Sequence, residues 1–204
     1  MATVNRRRIV AARLPSSIYR LKIKLLGIEP PIWRRIQVPG SMRLCCLHTA
    51  LQVALSWTDS HLHRFEKDGK EWGVPEYDEL GDFDLVDERT TQLSTVLKAE
   101  GESMMYIYDY GDGWIHKVVL EEIIPVNDVL KTPICFGGER RTPPEDVGGV
   151  SGYEQFLDVI FDPGHEDFDR LREWAGDTFQ PEEFDIRAIN LKLSLLRWPI
   201  RHRR

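Results

Sequence analysis

The segment 104–124 constrains the fold more than any other part of the chain. Its two runs, 104–110 and 114–124, are rich in Tyr, Ile, Val and Trp, and only Gly111, Asp112 and Gly113 separate them. A connection so short favours an antiparallel hairpin, and its glycines supply the left-handed backbone that tight turns need. With a three-residue loop, Tyr108 faces His116 and Tyr110 faces Trp114, which leaves Asp109 on the face opposite His116.

Other strands read in the same way. Residues 18–26 alternate apolar and basic side chains, the pattern of a half-buried strand. Residues 32–38 form a second, with Trp33, Arg35 and Gln37 on one face and Ile32, Arg34, Ile36 and Val38 on the other. Short strands at 61–66 and 70–74 flank Asp68-Gly69, a strong turn signal. Leu44, Leu47, Leu51, Ala54 and Leu55 recur at helical spacing and predict an amphipathic helix over 43–56. The segment 76–90 reads as acidic and irregular, followed by a short helix over 91–99. Residues 125–150 read as a long polar loop, and helices are expected over 151–161, 165–175 and 181–197. Strands first and helices last imply an α+β fold: a mostly antiparallel sheet built from hairpins, one helix packed early and a helical cluster at the C-terminal end.

Charge is distributed unevenly. Residues 1–24 and 192–204 hold twelve of the 27 Lys and Arg and no acid, which leaves 15 cations against 33 acids in between, a central charge of −18. We therefore expect a basic arm at 1–17, one α+β domain at 18–197 and a basic tail at 198–204. The acidic body argues against a general nucleic-acid surface, although the arms could contact DNA phosphates. No run approaches the roughly 18 apolar residues of a membrane span, and the start of the chain lacks the apolar segment of a secretory signal. A cytoplasmic protein with no membrane role is the expectation. Cys45 and Cys46 lie within the helical pattern and read as core thiols.

Two polar stretches, 108–116 and 135–149, gather the residues that could carry chemistry. His61 and His63 are two apart on an expected strand, so their rings emerge on one face and could share a divalent metal with Asp59, Asp109, Asp112 or His116. The competing reading gives the aspartates to turn amides and the histidines to carboxylates. Among Trp33, Trp57, Tyr108, Tyr110 and Trp114, most should be core, with Trp57 and Trp114 reaching a surface. Arg140 and Arg141 could grip an anion, or pair with Glu145 and Asp146 in their own loop. Cys135 with His116 is the one nucleophile and base pairing to name.

Several of these motifs together resemble a known family. They are Pro31-Ile32-Trp33-Arg34-Arg35; Trp57-Thr58-Asp59-Ser60-His61-Leu62-His63 with Phe65; Tyr108-Asp109-Tyr110-Gly111-Asp112 with Trp114 and His116; Pro143-Pro144-Glu145-Asp146 with Gly148 and Gly149; Gly152-Tyr153; and Phe184-Asp185 with Asn190. In this order they resemble the plasmid Ri ORF-three-like family over about residues 19–193, with Tyr110 where that pattern usually has Phe. The resemblance implies a bacterial protein linked to mobile elements, some of whose relatives travel as insertion-sequence passengers, but it brings no reaction with it. We expect an accessory or binding module that recognises a protein partner or small ligand through Trp57, Asp59, Trp114, Arg140, Arg141, Glu145 and Asp146. The alternatives are a metal-dependent hydrolase using the His61/His63 region and a DNA-associated protein using its basic termini.

Overall fold

The computed structural model describes residues 16–77, 84–126, 130 and 132–196. The basic tail and most of the basic arm lie outside them, while residues 16 and 17 open the first strand. Among the described residues, eight strands form one sheet in the order β5-β4-β3-β6-β7-β1-β2-β8, antiparallel except for β4 with β5. They are β1 (Ser16–Leu25), β2 (Trp33–Pro39), β3 (His63–Lys67), β4 (Lys70–Gly73), β5 (Leu85–Asp87), β6 (Ser103–Tyr108), β7 (Trp114–Val126) and β8 (Ile134–Glu139). The helices are α1 (Leu44–Leu55), α2 (Leu93–Val96), α3 (Gly149–Ile160), α4 (Phe168–Ala175) and α5 (Ile186–Leu195). The α+β architecture expected from the sequence is thus the one observed.

Alternation decides which face is buried. Tyr19, Leu21, Ile23 and Leu25 of β1, Arg34, Ile36 and Val38 of β2, and Trp114, His116, Val118 and Leu120 of β7 point into one core. Helix α1 packs there with Leu44, Leu47, Leu51, Ala54 and Leu55, and α5 lies against both α1 and β8. Arg20, Lys22, Lys24, Trp33, Arg35 and Lys117, on the other face, are not buried. A β-bulge between Arg20 and Leu21 turns both Glu121 and Glu122 toward this outer face, where they bond Arg35 and Arg20.

Four expectations are corrected. The acidic segment 76–90 supplies a parallel edge strand, β5, and its residues 78–83 lie outside the described part. The polar loop 125–150 contains β8, which pairs with β2. Its glycines read as breakers, but Gly138 answers to packing, since a Cβ there would stand 2.5 Å from the Phe184 ring. The hairpin register is shifted by two, pairing Tyr108 with Trp114 and Tyr106 with His116. Asp109 leaves the strand at φ 57° and its Oδ1 accepts from the amides of Gly111 and Asp112, so the connection is five residues long. Cys45 and Cys46 are half-buried rather than core residues.

His116 is fully enclosed, and burial pushes its pKa down to about 4. The unfolded chain therefore binds the proton first as pH falls from about 6.5 to 4, and folding stability declines across that window by up to about 3 kcal/mol from this group. Urea midpoints measured between pH 7 and 4 should fall accordingly, and His116→Leu should flatten the decline. A decline of unchanged steepness in the variant would refute the assignment.

Candidate functional site

The loops 56–62, 109–113 and 140–148 meet at one end of the sheet. Helix α1 ends at Ser56 in a left-handed conformation, which turns the chain sharply toward β8. Arg34 Nε donates to the carbonyl of Ala54 (2.9 Å), and Thr142 Oγ1 donates to that of Leu55. Trp57 then donates from Nε1 to the carbonyl of Pro143 (3.0 Å) and stacks on Tyr108 at 4.9 Å between ring centres. Trp57 and Trp114 are thereby buried, 7% and 1% exposed, contrary to the expectation that they reach the surface. The hairpin turn sits on the start of α3: Gly148 N donates to Asp112 Oδ2, and a Cβ on Gly149 would stand 2.5 Å from the Asp112 carbonyl.

Glu145 is the hinge between the early and late loops. Its Oε1 accepts from Thr58 N (2.8 Å) and Thr58 Oγ1 (3.1 Å), and Tyr108 donates its hydroxyl to the same carboxylate at 3.2 Å. Tyr108 in turn accepts from Ser60 N. These bonds aim Glu145 Oε2 at His61.

His61 Nε2 faces Asp146 Oδ1 at 3.1 Å, Glu145 Oε2 at 3.6 Å and Asp109 Oδ2 at 3.7 Å. The nitrogen is sealed from solvent, yet its geometry satisfies no hydrogen bond. Asp109 and Asp146 both hold positive φ, 57° and 60°, which brings their carboxylates round toward the imidazole. Ligand atoms of one ion bound at about 2.1 Å lie roughly 3.0–3.5 Å apart, close to the spacings seen here.

Helix α1 and β3 build a different arrangement nearby. His48 and His63 stack face to face, with ring centres 3.4 Å apart and planes 2° from parallel. Gln52 Nε2 donates to the Tyr106 hydroxyl (2.9 Å), Tyr106 donates to His48 Nδ1 (2.8 Å), and His48 Nε2 donates to Asp59 Oδ1 (2.7 Å). His63 Nε2 donates to Glu88 Oε2 at 2.9 Å, and Glu88 is 2% exposed. Burial lowers the His48 pKa, with His63 adding to that lowering and Asp59 opposing it, so His48 carries the single proton this tautomer needs. Nitrogen lone pairs lie in the ring plane, so two parallel stacked imidazoles do not converge on one ion. This group is held together as a hydrogen-bond network.

The sequence-derived candidates are therefore separated. His61, Asp109 and Asp146 come together, with Glu145 Oε2 3.6 Å from His61 Nε2; His63 and Asp59 belong to the stacked network, so His61 and His63 do not share one site. Asp112 serves the start of α3. His116 bonds the Tyr106 carbonyl and contacts Trp57, outside both groups. Arg140 and Arg141 pair with Glu182 and Glu183 rather than with Glu145 and Asp146, and Arg140 also donates to the Pro30 carbonyl. Cys135 keeps its thiol on the Gly137 carbonyl, and burial raises its pKa, which disfavours a nucleophilic thiolate. His48 and Glu88 escaped the sequence reading because one lies in an apolar helical pattern and the other in an acidic run. Only their burial marks them.

Replacing His63 by Ala, or Glu88 by Gln, leaves a buried polar group without its partner and should cost about 2–4 kcal/mol of unfolding free energy. His61→Ala, measured alongside in chelator, should cost less than about 1 kcal/mol. Equal losses from both sites in urea titrations would contradict the division.

Comparison with known proteins agrees with the motif order. Residues 17–188 match the model of the plasmid pRiA4b ORF-3-like protein family. The chain is 37% identical over 175 residues to uncharacterized protein y4hQ of Sinorhizobium fredii (strain NBRC 101917 / NGR234), covering 86% of this chain and 87% of that one. The crystal structure of MM3350, a protein of unknown function from Methanosarcina mazei Go1, superposes with a TM-score of 0.74 at 41% identity over 85% of this chain and 97% of that one. Motifs, fold and relatives together establish that the chain belongs to the family of plasmid pRiA4b ORF-3-like proteins.

Proposed function

We propose that this protein binds a divalent cation through His61, Asp109, Glu145 and Asp146, and that the bound ion is where a small ligand or a partner's anionic group docks. The observation that carries the reading is the His61 Nε2 atom, enclosed, facing three carboxylates at 3.1–3.7 Å, and without a hydrogen bond. An unpaired buried nitrogen costs stability unless something fills its need, and a cation fills that need while neutralising the crowded acids. One imidazole with two or three carboxylates is a mixed, oxygen-rich set, suited to Mn²⁺ first and Zn²⁺ next.

The surroundings support recognition at such an ion. The Asp146 side chain is 71% exposed, so the ion would be reached from solvent on that side. Asp146 also borders an open groove of about 730 Å³ between α3 and α4, floored by Phe156, Leu171 and Trp174. The ion would polarise an anionic oxygen brought to it, and Tyr108 and Thr58 keep Glu145 oriented while this happens. Metal-dependent hydrolysis is the narrower form of this reading: an ion held by His61, Asp109, Glu145 and Asp146 would supply Lewis-acid activation there.

Calorimetric titration of chelator-treated protein with Mn²⁺ and Zn²⁺ tests it. We expect one site per chain, weakened at least ten-fold by Asp146→Asn and abolished by His61→Ala, with His63→Gln retaining it. Absence of binding, or binding indifferent to His61 and Asp146, would refute the proposal.

A further inference from the structure

The outer face of the sheet carries charge and aromatic rings in an arrangement that the cation site does not use. Cross-strand register sets Lys22 directly opposite Arg35 and Lys24 directly opposite Lys117. Like charges facing each other across a sheet are destabilising, so this placement is unfavourable for the isolated fold. Arg35 is relieved by Glu121, Arg20 by Glu122 and Lys24 by Glu29. Lys22 and Lys117 have no ion-pair partner among the described residues.

The aromatic rings stand among these cations. The Trp33 indole lies beside Gly137 and donates from Nε1 to Glu139 Oε2 (2.9 Å), with Lys22 and Arg35 placed over the ring at 5.4 and 5.1 Å from its centre. Phe136, on the neighbouring strand β8, is 39% exposed and has Arg20 over it at 5.4 Å. No described element covers this half of the sheet, β7-β1-β2-β8, on its outer side, and none of its outward side chains is buried.

We propose that this face binds single-stranded nucleic acid, with phosphates on Lys22, Lys24 and Lys117 and bases stacked on Trp33 and Phe136. Cations alone would suit any polyanion. Flat rings set between cations on an open sheet favour unpaired bases, because every base has a face to stack and phosphates recur along the strand. Phosphates would complement Lys22 and Lys117, the two facing cations that no described carboxylate pairs. The basic arms at the two ends of the chain are the alternative anchor.

The test is fluorescence anisotropy with end-labelled 20-nucleotide single-stranded DNA and RNA of mixed sequence, using the full chain at several salt concentrations. The unaltered protein should bind, and its affinity should fall as salt rises. Lys22→Glu with Lys24→Glu and Lys117→Glu should weaken binding at least ten-fold and reduce the log–log salt slope by about 2, since each phosphate contact contributes roughly 0.7. Trp33→Ala should weaken it about ten-fold through lost stacking. The charge-reversed protein should unfold in urea at no lower a midpoint than the original, which separates lost binding from lost fold. Replacing Arg6, Arg7, Arg8, Arg201, Arg203 and Arg204 by Gln should change affinity less than three-fold. No oligonucleotide binding, binding untouched by the three reversals, or binding lost only with the arm substitutions would overturn the proposal. So would preferential binding of poly-glutamate or of anionic vesicles.

Discussion

The clamp on the C-terminal end of α1 is the constraint on which the rest of the site depends. Helix ends leave carbonyls without partners, and here two of them are taken by residues from distant parts of the chain, Ala54 by Arg34 and Leu55 by Thr142. Arg34 has no carboxylate partner among its bonds; it donates also to the carbonyls of Trp33 and Glu139 and lies 4.8 Å from the Phe184 ring centre. Burial lowers its pKa to about 10, which still leaves it charged at neutral pH beside the negative end of the helix. With α1 fixed in this way, the left-handed Ser56 delivers Trp57 to Pro143 and Thr58 to Glu145. Sequence positions more than 80 apart are brought to the same few ångströms.

From that meeting point two histidine groups diverge, and their difference is one of satisfaction. His48 and His63 end in carboxylates with short bonds, and an unbroken chain of bonds runs from Gln52 through Tyr106 to His48 and Asp59. Such a network rigidifies the loop that precedes β3. His61, at the tip of that loop, has the opposite character: several acceptors near and no bond made. Asp59 N donates to Gln52 Oε1 and Asp59 itself is held at φ 58°, so the loop that presents His61 is fastened before any ligand arrives. Preorganisation of this kind lowers the ordering cost of binding.

Much of the fold was legible because alternation and helical spacing report burial directly. The faces of 32–38, the α1 stripe and the turn at Asp68-Gly69 all follow from periodicity, and all are observed. Strand β8 was hidden because Gly138 meets a packing demand from Phe184, 46 positions further along the chain, which no local pattern shows. The hairpin register slipped because Asp109 caps its own turn, a local bond that competes with the ladder. For the site, residue type identified His61, Asp109, Glu145 and Asp146 as candidates, but their grouping depended on loops folding toward each other. Glu88 and His48 had no local signature, since a buried acid and a buried histidine look like surface and core until their partners are placed.

The most direct test of the account is anomalous X-ray scattering from crystals grown with Mn²⁺ after chelator treatment. A peak is expected about 2.2 Å from His61 Nε2, with oxygens of Asp109 and Asp146 at similar distances. A peak between His48 and His63, or none near His61, would contradict it.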